Sequence, residues 1–99
     1  MLEEGFQIVN LVIKFRILAE FNFQNIFGPL KDVPGVYDVK LTKLNSEKVL
    51  QFKYKNITVR IFKSGYVLCL FSKPKNLDVY DDVKYIKRAI LNAIHNQKV

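Results

Sequence analysis

Between Val36 and Ser72 the chain reads as four alternating runs divided by turn residues, and little besides an antiparallel meander can be made from that. The runs are Val36–Leu44, Val49–Lys55, Ile57–Lys63 and Tyr66–Ser72. The breaks fall at Asn45-Ser46-Glu47, at Asn56 and at Ser64-Gly65. In the first run Tyr37, Val39 and Leu41 alternate with Asp38, Lys40 and Thr42. In the second, Leu50, Phe52 and Tyr54 alternate with Gln51, Lys53 and Lys55. Ile57, Val59 and Ile61 then oppose Thr58, Arg60 and Phe62, and Val67, Cys69 and Phe71 oppose Tyr66, Leu68 and Leu70. Each run therefore has one apolar face suited to a core.

A fifth alternating stretch precedes them. Over residues 7–17, Val9, Leu11, Ile13, Phe15 and Ile17 share one face, while Ile8, Asn10, Val12, Lys14 and Arg16 share the other. Residues 22–30 carry helical spacing at Phe23, Ile26, Phe27 and Leu30, with Asn22 as the expected N-cap and Gly28-Pro29 as the expected limit. Pro34-Gly35 makes a turn. A second helix is expected over about 78–96, capped by Asp78, with Asp81 and Asp82 at the positive end of its dipole. Its stripe Val79, Val83, Ile86, Ile90 and Ile94 suits packing on a sheet. The order β-α-β-β-β-β-α predicts one α+β domain over 1–99, core about 6–96: a five-stranded antiparallel sheet with both helices on one face.

Two helices on one face leave the other face uncovered. Its expected content includes Asn10, Val12, Lys14, Arg16, Lys53, Lys55, Arg60, Phe62, Tyr66, Leu68 and Leu70, which is part apolar and part basic with almost no acid. A patch of that kind marks an interaction site. The net charge of +7 favours an anionic partner. Asn10 can donate to minor-groove acceptors, which distinguish A·T from G·C. Lys14, Arg16, Lys53, Lys55 and Arg60 can reach phosphates, and Phe62 and Leu70 can unstack a base step.

Enzyme chemistry finds no foothold. His95 stands alone near the C-terminus, the four glycines make no phosphate loop, and no cluster has metal-ligand spacing, so neither cofactor nor metal is expected. The single cysteine, Cys69, rules out a disulfide within the chain and suits a buried thiol in an intracellular protein. The apolar run Phe6–Phe21 contains Lys14, Arg16 and Glu20 and is shorter than the roughly 20 residues of a spanning helix, so no membrane partner is expected.

Two segments carry a family resemblance. Phe6-Gln7-Ile8-Val9-Asn10-Leu11-Val12 and Ile61-Phe62-Lys63-Ser64-Gly65-Tyr66-Val67-Leu68-Cys69 resemble the first strand and the late hairpin of one half of the TATA-box-binding protein family, with Tyr66 where the family has Lys. The resemblance implies a curved sheet whose open face lies in the DNA minor groove, a mechanism that belongs to that family. By position it implies that Asn10 bonds base edges, Val12 and Leu68 line the groove, Phe62 wedges a base step and Lys53 contacts phosphate. The family's second wedge Phe has no counterpart near Glu47–Val49. The chain holds one repeat where the family has two, so a full saddle implies a homodimer on an A·T-rich duplex, working with the transcription machinery. The competing expectation is a protein-interaction module of the same fold that has lost DNA binding. An enzyme accessory domain is a third, by analogy of fold alone.

Overall fold

The computed structural model describes residues 10–72, 74 and 78–96. Seven elements follow the expected order: β1 (Asn10–Arg16), α1 (Phe23–Lys31), β2 (Val36–Leu44), β3 (Glu47–Tyr54), β4 (Ile57–Phe62), β5 (Tyr66–Ser72) and α2 (Tyr80–His95). The strands form one sheet of order β1-β5-β4-β3-β2, and every neighbouring pair is antiparallel. Consecutive hairpins build the meander β2–β5, and β1 closes it by pairing with β5. Ile8 and the start of the Asn10 motif lie outside the described residues.

One core lies between sheet and helices. Leu50, Phe52, Ile57, Val59, Ile61, Val67, Cys69 and Phe71 supply it from the strands. Phe23, Ile26 and Leu30 of α1 and Ile86, Ile90, Ala93 and Ile94 of α2 supply it from the helices. Both helices thus cover the same face. The i, i+4 spacing of the Ile residues in α2 is what turns one stripe toward the sheet.

The turns obey local stereochemistry. Asn45 and Ser46 take φ of 53° and 70°, the two positive values that a two-residue type I′ hairpin demands. Gly65 takes φ of 96°, its N–H meets the Phe62 carbonyl, and its carbonyl accepts from Ile17 N–H at 2.7 Å. The Ser64-Gly65 turn therefore closes a hairpin and anchors the end of β1.

Three local expectations are corrected. Pro29 does not end α1, which runs on to Lys31; the proline sits in the last turn, where its missing N–H forfeits a single helical bond. Asp78 is not the cap of α2. The N-cap is Val79, without a side-chain bond, so the helix begins with Asp81 and Asp82 in its first turn. In β2 the alternation breaks, because Tyr37 faces Lys53 while Lys40 faces Gln51, which inserts a bulge with Asp38 at φ of 56°. Tyr37 is thereby turned to the side of Lys53, away from Leu41, and its hydroxyl donates to the Lys55 carbonyl at 2.7 Å. Asn22 caps α1 as expected, accepting from Gln24 N–H at 2.8 Å.

Cys69 is buried and unbonded, and desolvation pushes its thiol up from 9.0 to about 12. The unfolded thiol ionises first as pH rises. The stability that this group contributes is therefore complete below pH 9.0 and is lost as pH climbs toward 12. Urea midpoints at pH 8 and 10.5 should show the protein losing about 2 kcal/mol more than its Cys69→Ala variant. Equal losses would mean that the thiol is not desolvated.

Candidate functional site

The face away from the helices is built in rows set by strand register. Its central row crosses all five strands: Lys14, Leu68, Arg60, Gln51, Lys40. On one side runs Val12, Leu70, Thr58, Lys53 and Tyr37. On the other, Arg16 faces Tyr66, and Phe62 faces Val49, which faces Thr42. Rows lie about 7 Å apart and strands about 5 Å apart, so the three rows cover roughly 20 by 14 Å. Cations from β1, β4, β3 and β2 thus frame an apolar strip of Val12, Leu68, Leu70, Phe62 and Val49.

Several of these side chains are held in place. Arg60 Nε donates to Gln51 Oε1 at 3.0 Å, and Gln51 is itself buried, so the guanidinium is fixed while its remaining N–H groups stay available. The Tyr66 ring holds two cations, with Lys14 Nζ at 4.3 Å and Arg16 Cζ at 5.2 Å from its centroid. Val12 remains 53% exposed, which is costly for an aliphatic side chain on an otherwise polar face. Val49, by contrast, is 0% exposed yet stands outside the helix-side core. Its cover comes from its own face, where Phe62 and Thr42 flank it across the strands.

Ten of the eleven expected site residues lie on this face. Lys55 is the exception. Strand β3 stops at Tyr54, and Lys55 enters the turn with φ of 55°. Its ammonium bonds Asp82 of α2 at 2.9 Å, on the side of the helices. That bond and the carboxylate charge raise the Lys55 pKa. Simple alternation carried Lys55 one step past the true strand end. Asn10 is on the face but at a far corner, opposite Ser72. Three rows separate it from Phe62, about 20 Å, so the two do not act on one spot.

Sequence reasoning missed four members of the site: Val49, Thr42, Lys40 and Tyr37. Lys40 and Thr42 opposed the apolar residues of β2 in the plain pattern, but the bulge hid which side of the sheet that was. Val49 was recognisable only from its register with Phe62.

Among the described residues no group of His, Cys, Asp or Glu could hold a metal ion, and no helix is long and apolar enough to cross a membrane. Comparison with known proteins returned nothing that bears on this face: no protein-family model, no curated protein and no solved structure matches the chain.

Proposed function

We propose that the protein binds double-stranded DNA through the uncovered face of its sheet, as a single-repeat, TATA-box-binding-protein-like module that works as a homodimer. The observation that carries this reading is the central row Lys14–Leu68–Arg60–Gln51–Lys40, in which fixed or adjacent cations alternate with neutral groups across the full width of the sheet. Cations two strands apart, about 10 Å, have side chains long enough to reach separate phosphates, and the apolar strip beside them suits the sugar edges and base steps of a minor groove. The domain's charge of +7, doubled in a dimer, adds a long-range attraction.

The test is binding to an A·T-rich duplex as a function of salt, with the mass of the complex measured alongside. Phe62→Ala should weaken binding about tenfold without changing the salt slope. Lys14→Gln should lower the slope by about 0.9. Two chains per duplex are expected. Absence of binding at low salt would overturn the proposal.

A protein partner is the second reading, and Val49 favours it. A buried valine stands beside Phe62 where the resembled family has a second wedge, so the bending device is half present. A stable complex formed through Val12, Leu68 and Leu70, in a protein indifferent to duplex DNA, would select this reading.

A further inference from the structure

The middle of the uncovered face holds a buried amide that the sheet itself does not require. Gln51 lies in the middle of β3, directly across from Arg60 on β4 and from Lys40 on β2. At 9% exposure it is the one buried polar side chain among the described residues. Burial of an amide is unfavourable unless its polar atoms are bonded, and a β-branched aliphatic residue would suit the middle of a strand better. The bond that Gln51 makes is to Arg60, whose Nε donates to Gln51 Oε1 at 3.0 Å.

That bond fixes the guanidinium. An unguided arginine on a strand face turns about several side-chain torsions, and the plane of its fork turns with them. Here Nε is held by a partner that is itself packed into the sheet, so the plane is set. The edge formed by the terminal nitrogens still presents a parallel pair of donors. Leu68, the neighbour of Arg60 across the β4–β5 ladder, offers no side-chain acceptor. The ion pairs among the described residues join Lys40 with Asp38 and Lys55 with Asp82, and neither involves Arg60.

We propose that Gln51 is a positioning residue for the uncovered face: it holds the Arg60 guanidinium so that the fork takes two oxygens of one backbone phosphate at once. This role rests on the DNA reading above and deepens it. A two-handed contact of that kind is more selective in geometry, and stronger, than the point charge of an ammonium. Gln51 acts through Arg60 and touches no phosphate itself.

The test is a double-variant cycle on the full chain, with binding to an A·T-rich duplex as the readout. Gln51→Met keeps the volume and every cation but removes the acceptor, and should weaken binding about tenfold at unchanged salt slope. Arg60→Lys keeps the charge but removes the fork, and should do the same. Because Gln51 works through the fork, the combined variant should bind no more weakly than either single one. Nitrogen-15 spectra of the free protein supply a readout without DNA. The Arg60 Nε–H should be protected from exchange in the parent and exposed in Gln51→Met, while the backbone amides of β3 and β4 keep their positions in both. That separates a lost orientation from a damaged sheet. A parent that binds while Gln51→Met binds equally tightly, or single effects that add in the combined variant, would overturn the positioning role and leave DNA binding standing. An unprotected Arg60 Nε–H in the parent would overturn the fixed fork. Failure of the parent to bind at low salt would overturn the DNA reading and this role with it.

Discussion

Gly65→Ala is expected to destabilise the domain by about 3 kcal/mol, enough to remove much of the stability of a chain this size. Two costs combine. At φ of 96° the backbone lies where side-chain-bearing residues are strained. A methyl group there also falls on the Ile17 carbonyl oxygen, well inside van der Waals contact. That obstacle is backbone, so it cannot rotate away. Relief requires β1 to withdraw from the turn, breaking the Ile17–Gly65 hydrogen bond. Denaturant unfolding checks the magnitude. Ser64→Ala, one residue earlier at an exposed position, should change stability by no more than about 0.5 kcal/mol. Equal effects at the two positions would refute the steric argument.

Val49→Asn should cost about 3 kcal/mol, although Val49 lies on the side of the sheet that no helix covers. An amide of similar size replaces an aliphatic group at 0% exposure, and its polar atoms lose water. Thr58→Asn, on the same face but only half-buried, is expected to cost under 1 kcal/mol. The contrast measures whether the row that holds Phe62 is packed or merely wetted. Comparable costs for the two variants would show that Val49 is open to solvent.

Element order, pairing direction and the composition of the core were legible in the residues, because each strand carried its own period-two signal. Ile57, Val59 and Ile61 against Thr58, Arg60 and Phe62 leave no ambiguity of side. What escaped were events at strand ends and irregularities. Lys55 continued the pattern of Lys53 in sequence, but a positive φ and the pull of Asp82 took it to the other side. Asp38 absorbs an extra residue in β2 without any glycine to announce it. The uncovered face was legible as a set of residues but not as an arrangement. Asn10 and Phe62 stood together in a list and stand about 20 Å apart in register. The pairing of Lys43 with Lys48 was equally hidden, since it depends on the register of β2 with β3.

The outer position of β1 has a consequence for how this molecule moves. Strands β2 to β5 are joined by short hairpins and can assemble from neighbouring sequence, whereas Arg16 must find Tyr66 and Asn10 must find Ser72 across most of the chain. Closing so long a loop costs entropy that the hairpins do not pay, so β1 is expected to dock after the meander and to detach before it, an order that hydrogen exchange would read. Its release takes Asn10, Val12, Lys14 and Arg16 away as a unit and frees the Tyr66 ring from both of its cations. The uncovered face is therefore a latch: it is complete only while the edge strand is shut, and any molecule that gripped β1 and β5 together would also hold the fold closed.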